Sequence, residues 1–284
     1  MTELLVTYPA GSTAESSTVA ALTRIDDQVL FAVKRTPCHP QSPRWPDQPQ
    51  DRCTVVRDGT PIPLQVEEGY LLGTVLGTGN PPEQTDPAEA IPCVVHSLPV
   101  ALEPAIGEQV TLRVDESYRS ALSRSHSRCH LVSLALNAAL KDAWRKDPPA
   151  RDSLGNPDFD KLAIASSKID ERGSLDSYRV GKHLRKSGFS AATLDDPKGL
   201  AEAVKDLTKS WLLSSPQVSV TPGECALNER RTWACELPAG TAQFLCGGTH
   251  PSRMEPDEQL EVTILWDPDE RSLQMRAQSR TFHL

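Results

Sequence analysis

Two histidines four residues apart, at the start of a helix-periodic stretch, limit how the middle of this chain can fold. His126 and His130 open a segment in which leucine and alanine recur every three to four residues as far as Ala139. That period predicts an α-helix, on which positions four apart lie one turn apart on one face. Both imidazoles can therefore reach one metal ion. The spacing is weak by itself, and it lacks the glutamate of the H-E-x-x-H zinc peptidases.

A second motif, Cys246-Gly247-Gly248-Thr249-His250, lies more than a hundred residues downstream. The two glycines lack β-carbons, which lets the thiolate and the imidazole turn toward one point. Three nitrogens and one sulfur suit tetrahedral zinc. The sequence therefore predicts a zinc site at His126, His130, Cys246 and His250. Two alternatives remain open: exposed histidines beside a buried cysteine, or Cys246 as a free nucleophile with His250 or His126 as its base.

Length and composition indicate a globular protein with one large or two smaller domains. The chain has 284 residues, 38% of them apolar. It contains no apolar run near the roughly 18 residues that a membrane helix needs. Residues 1–7 lack the basic and long apolar segments of a signal peptide. Because seven scattered cysteines also show no disulfide framework, we expect a cytoplasmic protein.

The net charge of −8 argues against a protein that coats nucleic acid non-specifically. It allows a protein that holds only the end of an RNA, because a local basic patch would suffice. Arg119, Arg124 and Arg128 surround the histidine pair, and residues 182–186 form a second basic cluster that equally fits a solvated face. We expect structural contacts for Asp115 and Arg119, with RNA phosphate as the alternative partner of Arg119.

Residues 1–115 are predicted to be β-rich. Short apolar and β-branched runs separated by proline and glycine predict strands at 28–34, 53–57, 62–66, 70–76, 91–98 and 109–114. Asp58-Gly59 indicates a hairpin turn after the second of these. Such punctuation is typical of a small barrel or sandwich. Residues 36–50 contain five prolines, which predicts a rigid, irregular loop.

The pattern changes to helix near residue 115. Helices are predicted at 120–144, ended by Pro148-Pro149, and at 197–213, with a polar surface insertion at 147–165. Strands are predicted again at 232–236, 242–245, 260–266 and 272–280. We therefore expect an α+β fold: a small β-barrel-like domain at 1–115, then an α+β domain at 116–284 whose antiparallel sheet carries the Cys246 turn.

Taken in order, several stretches resemble the alanyl-tRNA editing family, which comprises the AlaX-type deacylases and the editing domain of alanyl-tRNA synthetase. Residues 36–41 (Thr-Pro-Cys-His-Pro-Gln) and 48–51 (Gln-Pro-Gln-Asp) resemble the family's T-x-F-H-P-x-G-G-G-Q-P-x-D loop. Residues 107–119 resemble its lead into the H-x3-H helix, and residues 172–174 (Arg-Gly-Ser) a segment that follows that helix. Residues 246–250 match its most specific signature, C-x-G-T-H.

The resemblance implies an N-terminal β-barrel-like domain packed on a catalytic α+β editing domain. It implies zinc at the four residues above and hydrolysis of the ester between an amino acid and the 3′ end of tRNA. Such an ester is already activated, so the protein needs a Lewis acid or a positioned water, and a pocket sized to the amino acid. The expected partner is the acceptor end of aminoacyl-tRNA, with no membrane and no DNA.

Three departures from the family pattern surround the expected pocket. Residues 43–47 (Pro-Arg-Trp-Pro-Asp) replace three glycines, so Arg44 and Trp45 add bulk and charge. Cys129 stands where relatives often have threonine, and a thiol is a weak hydrogen-bonding group. Glu171 stands where relatives often have glutamine, and a carboxylate there can attract the substrate ammonium or act as a base.

The resemblance and the departures from it imply roles for seven further residues. We expect Glu171 and Gln48 to be catalytic, and the substrate to be bound by Cys129, His39, Arg44, Trp45 and Thr249. The alternatives are a surface charge for Glu171, a loop brace for Gln48, apolar packing for Cys129 and a structural role for His39.

The expected function is zinc-dependent deacylation of mischarged tRNA in trans, by default tRNA(Ala) carrying serine or glycine. The three departures leave open a specialised deacylase for a non-standard or β-hydroxy amino acid, such as a threonine analogue made by the host, in a self-protection role. Two other classes also stay open. One is a non-catalytic zinc module that binds tRNA or a synthetase, and the other is a hydrolase of small esters or amides.

Overall fold

The computed structural model describes residues 4–57, 59–86 and 88–279. Three predictions fall partly outside these ranges. They concern residues 1–3 of the stretch predicted to lack a signal segment, Asp58 of the predicted turn, and Arg280 of the last predicted strand. The chain forms two compact units. One contains the chain up to Ser120 with Val220–Thr232 and Leu245–Thr249, and the other contains Ala121–Ser219, Trp233–Phe244 and the chain from His250 onward.

The described residues form a mixed α+β fold that consists mostly of strands, so the predicted class is confirmed at that level. The strands up to Val114 are β1 (Leu5–Val6), β2 (Ala14–Ile25), β3 (Gln28–Val33), β4 (Arg35–Thr36), β5 (Cys53–Arg57), β6 (Thr60–Leu72), β7 (Val75–Thr78), β8 (Ala90–Pro99) and β9 (Gln109–Val114). The later strands are β10 (Ile164–Ile169), β11 (Gly173–Arg179), β12 (Val218–Thr221), β13 (Cys225–Ala226), β14 (Thr232–Leu237), β15 (Gly240–Leu245), β16 (Leu260–Asp267) and β17 (Ser272–Ser279). The α-helices are α1 (Glu116–Ala139), α2 (Phe159–Ala163), α3 (Lys182–Lys186) and α4 (Pro197–Leu212).

In the first unit, six strands pair in a closed ring of order β5-β9-β2-β3-β8-β6. The ring closes because β6 pairs with both β8 and β5, and β7 adds to β6 outside the cycle. Each ring strand therefore has two neighbours, which removes the free donors and acceptors of an open edge. A buried cluster that includes Phe31, Val55, Val66 and Leu112 forms its core.

Most predicted strands of this unit match observed ones, with two differences. The predicted strands at 62–66 and 70–76 are one continuous β6, followed by a turn at Gly73 and then β7. The charged pair Glu67-Glu68 breaks the apolar pattern, but Glu68 is buried in an ion pair with Arg44, which explains how the strand continues. The twelve-residue β2 was not predicted, nor were the two-residue strands β1, β4 and β13. The hairpin between β5 and β6 is confirmed by the Arg57–Thr60 pair.

The second unit contains an antiparallel sheet of order β10-β11-β17-β16, and α4 packs against β16. Strand β16 matches its predicted range, and Leu260, Val262 and Ile264 are buried between exposed neighbours. Helix α4 lies close to its predicted range, because Asp196 caps it by accepting a hydrogen bond from the backbone N–H of Gly199 (3.0 Å). A third sheet has the order β12-β14-β15.

Helix α1 begins four residues earlier than predicted and ends at Ala139. Asp115 explains the start, because its carboxylate accepts a hydrogen bond from the backbone N–H of Tyr118 (3.0 Å). The predicted insertion at 147–165 is not wholly on the surface. It includes α2, whose Phe159 is fully buried. Among the described helices, none is long and apolar enough to cross a membrane.

Candidate metal centre

Helix α1 presents His126 and His130 on one face, as their spacing predicted. The His126 ring lies 4.9 Å from the His130 ring and 4.5 Å from the His250 ring, measured between centroids. The His130 and His250 rings are 5.3 Å apart. Three imidazoles from two distant parts of the sequence thus form a compact triangle.

Cys246 completes a group of four possible ligands. One donor atom from each of His126, His130, Cys246 and His250 can be chosen so that all four lie within 4.8 Å of one another. Zinc bond lengths of about 2.0–2.3 Å place tetrahedral donors roughly 3.3–3.8 Å apart, so small side-chain shifts would bring the four onto one ion. Histidine nitrogens and a thiolate are also the donor types that zinc prefers. The cluster could therefore hold a metal ion, and its donor set is compatible with zinc.

Ser127 fixes the orientation of one imidazole. Its Oγ lies 2.9 Å from His250 Nδ1 and accepts a hydrogen bond from Trp233 Nε1 (3.2 Å). Because a hydroxyl oxygen has two lone pairs, it can accept from both rings at once. When Ser127 Oγ accepts from His250, Nδ1 of the imidazole carries the proton and Nε2 is available to a metal. This is the usual outer-shell support of a metal-binding histidine.

Ser127→Ala should lower zinc affinity about 10- to 100-fold, the usual effect of removing an outer-shell partner. The change removes the acceptor that selects the His250 tautomer but leaves all four ligands in place. Competition with a zinc chelator would measure the affinity. Ser125→Ala, on the same helix and next to His126, is the matched control. An unchanged affinity in Ser127→Ala would show that the hydroxyl does not support the site.

Aromatic rings surround His130. Phe244 stacks on it at 4.8 Å with an interplanar angle of 18°, and Trp233 lies 4.9 Å away. Trp233 is fully buried. These rings form an apolar wall, which limits water on that side of the imidazole and strengthens electrostatic interactions there.

Arg231 supports the Cys246 turn. Its carbonyl oxygen accepts a hydrogen bond from the backbone N–H of Cys246 (3.0 Å), and its Nη2 donates to the carbonyl of Gly247 (3.1 Å). Burial acts to lower the pKa of Arg231, but the neighbouring Tyr8, Cys225 and Cys246 outweigh it, so the pKa is raised. A cationic guanidinium near Cys246 favours the thiolate, which is the form that binds metal.

Gln48 and Trp45 hold the same turn from the proline-rich loop. Gln48 Nε2 donates to Thr249 Oγ1, and the Thr249 N–H donates to Gln48 Oε1, both at 2.9 Å. Gln48 and Thr249 are almost fully buried. A β-carbon on Gly247 would lie only 2.6 Å from ring atoms of Trp45, so this close approach requires glycine. These contacts give Gln48, Trp45 and Thr249 a positioning role, while their predicted catalytic and substrate-binding roles stay predictions.

A hydrogen bond and a ring contact hold His39, and an ion pair holds Arg44. The His39 N–H donates to Asp51 (2.6 Å), and the His39 ring packs edge-on against Tyr8. Arg44 pairs with the buried Glu68 at 2.5 Å. These contacts are structural, and substrate binding by His39 and Arg44 stays a prediction.

Cys129 lies against a buried carboxylate. Its Sγ is 3.5 Å from both carboxylate oxygens of Asp176 and 3.6 Å from Ser167 Oγ. Ser167 also donates to Asp176 (2.6 Å). Burial, followed by the charge of Asp176, raises the pKa of the Cys129 thiol well above its usual value. The thiol therefore stays protonated and donates to the carboxylate.

Burial also raises the pKa of Asp176 to about 7. The unfolded chain releases this proton near pH 4, whereas the folded chain keeps it until about pH 7, so this group lowers stability as pH rises between these values. Between pH 5 and pH 8 the unmodified protein should lose about 2–3 kcal/mol of unfolding free energy through this group. The Asp176→Asn variant lacks the group and should not show this loss.

Urea denaturation at several pH values would test this linkage. Ser167→Ala is the companion variant, because losing the 2.6 Å hydrogen bond to the ionised carboxylate should steepen the pH dependence. Equal pH dependence in Asp176→Asn and the unmodified protein would contradict the assignment.

Glu171 lies in a small cavity of about 30 Å³ with Arg124, Ser125, Arg128 and Arg172. Residues two apart on an α-helix point in nearly opposite directions, so Arg124 and Arg128 lie on the other side of α1 from His126 and His130. The structure therefore separates Glu171 from the face that carries the two histidines. Its catalytic role stays a prediction.

Sequence reasoning missed four residues that support these sites: Ser127, Asp176, Arg231 and Trp233. Only Ser127 carried a local signal, since it lies inside the H-x3-H motif. The others come from strands or loops far along the chain, and no spacing rule connects them to α1. In comparisons with known protein families and with curated proteins, no family and no curated protein matched this chain.

Proposed function

We propose that this protein is a zinc-dependent hydrolase that deacylates mischarged aminoacyl-tRNA in trans, by default tRNA(Ala) carrying serine or glycine. The observation that carries the proposal is the group of His126, His130, Cys246 and His250, whose donor atoms lie within 4.8 Å of one another. Both of its motifs are those that resemble the alanyl-tRNA editing family, and the proline-rich loop that also resembles it contacts Thr249 through Gln48.

Zinc held by these residues would supply a Lewis acid for the ester carbonyl or for a water, provided that a ligand position opens to one of them. The chain itself supplies position and shelter. Ser127 and Trp233 orient His250, Phe244 and Trp233 shield His130, and Gln48 holds the turn that bears Cys246 and His250. An aminoacyl ester is activated, so fixed placement of its carbonyl can account for much of the rate.

One observation favours the specialised version of this function. The Cys129 thiol is directed to Asp176, so it offers no strong hydrogen bond to the hydroxyl of a bound serine. Arg44 and Trp45 are likewise engaged, with Glu68 and against Gly247, in the loop that is triglycine in relatives. A pocket changed in these ways suits a different amino acid, such as a non-standard one whose recognition does not depend on a hydrogen bond from residue 129.

Metal analysis of the purified protein and deacylation of a panel of charged tRNAs would test the proposal. The panel should contain tRNA(Ala) charged with serine, glycine or alanine, and tRNA(Thr) charged with threonine or a threonine analogue. Turnover of seryl-tRNA(Ala) alone would end the specialised version. Zinc binding without turnover of any member would leave a non-catalytic tRNA- or synthetase-binding module, and turnover only of small esters would overturn the tRNA assignment.

A further inference from the structure

Two basic segments of the second unit, residues 141–151 and residues 182–189, lie side by side. The N–H of Arg145 donates to the carbonyl of Gly188 (2.9 Å), and Trp144 forms an antiparallel bridge with Phe189. The Lys146 Nζ donates to the carbonyl of Lys186 (3.4 Å). These contacts place residues 144–146, which follow α1, directly beside α3, although forty residues separate Lys146 from Lys186 in sequence.

These segments form one positively charged surface, the basic surface. Its members are exposed lysines and arginines of both segments: Lys141, Arg145, Lys146, Arg151, Lys182, Arg185 and Lys186. Two carboxylates lie among them, Asp142 and Asp147, and Asp147 pairs with Arg151 (2.9 Å). The charge distribution is therefore strongly uneven, because this surface has an excess of cations whereas the whole chain has a net charge of −8.

A cleft opens within the basic surface. It has a volume of about 490 Å³, and Lys141, Lys146, Arg151 and Trp144 contribute to its walls. The Trp144 indole is held by an edge-on contact with Phe189 at 5.3 Å. The cleft thus combines cations with a fixed aromatic side chain, a combination that suits a polynucleotide strand.

We infer that the basic surface binds the phosphate backbone of the tRNA. The inference rests on the proposed function, which requires an RNA substrate but does not say where the chain holds it. Each lysine or arginine near a phosphate releases condensed counterions, so exposed cations of this kind supply affinity without sequence preference. Because the rest of the chain carries net negative charge, it repels RNA and concentrates binding on this surface.

Binding of uncharged tRNA, measured by fluorescence anisotropy between 50 and 300 mM KCl, tests the surface separately from catalysis. Two triple variants remove one segment each: Lys182→Gln with Arg185→Gln and Lys186→Gln, and Lys141→Gln with Arg145→Gln and Lys146→Gln. The control removes three exposed cations elsewhere in the unit: Lys168→Gln with Arg271→Gln and Arg276→Gln.

Each triple variant should bind tRNA at least about tenfold more weakly at 100 mM salt, and its salt slope should fall by about two to three. The control should change affinity less than about twofold. Equal loss in the control, or unchanged affinity in both triple variants, would overturn the inference. So would equally tight binding of poly-glutamate, since the surface would then recognise any polyanion.

The two proposals fail separately. If the protein binds tRNA through the basic surface but deacylates none of the panel, the proposed function is wrong and the assignment of the surface stands. If the protein deacylates charged tRNA but its tRNA affinity is unchanged in both triple variants, the proposed function stands and the assignment of the surface is wrong.

Discussion

Replacing Cys246 with alanine is expected to abolish stoichiometric zinc binding and to lower deacylation of mischarged tRNA more than about 100-fold. Loss of an outer-shell partner already costs about 10- to 100-fold in metal affinity or activity, and Cys246 is one of only four donors in the cluster. The remaining three histidines would be a neutral donor set, because the variant loses the only anionic ligand of the cluster. Elemental analysis and a deacylation assay on the same preparation would measure both effects.

Cys235→Ala is the matched control, because it removes a fully buried thiol that lies outside the four-residue cluster. It should keep zinc and activity. Anisotropy with uncharged tRNA should be unaffected in both variants, since RNA binding is assigned to a different surface. A Cys246→Ala protein that retains full zinc and full activity would refute the metal centre. A protein that loses activity while zinc stays bound would instead indicate a nucleophilic thiol.

Asp51→Asn should destabilise the protein by about 3–5 kcal/mol, the usual cost of breaking a buried ion pair on one side. The side chains of Asp51 and Arg119 are 0% and 6% exposed, and Arg119 Nε donates to Asp51 Oδ1 at 2.8 Å. Without the carboxylate, the buried guanidinium keeps its charge but loses its counter-ion. The same carboxylate accepts the N–H of His39, so the start of the loop that carries Gln48 should loosen as well.

Denaturation by guanidinium chloride, followed by circular dichroism, would measure this loss. Glu103→Gln is the control: it breaks the exposed pair with Arg24 and should leave the midpoint nearly unchanged. A midpoint for Asp51→Asn equal to that of the control would show that the buried pair contributes little. Arg119 makes structural contacts, as expected, with Asp51 and the carbonyl of Pro37, partners that the sequence did not indicate.

Local patterns predicted the fold class and most strands because they depend only on near neighbours. Runs of apolar and β-branched residues marked β9 and β16, and the predicted helix at 197–213 matches α4 closely. The patterns failed where a distant partner compensates for a locally unfavourable residue. Glu68 continues β6 because Arg44 neutralises it, and α2 forms in a polar segment because Asn137 donates to Asp152 and Asp158 (both 3.2 Å).

The candidate site, too, was predictable from the sequence only in part. The sequence alone determined that His126 and His130 share a helix face, because a helix brings every fourth residue into register within one turn. Only the tertiary structure decided that Cys246 and His250 lie beside them, that Gln48 binds Thr249, and that Cys129 faces Asp176. Such contacts depend on how sheets and helices pack over long sequence separations, and no local spacing contains that information.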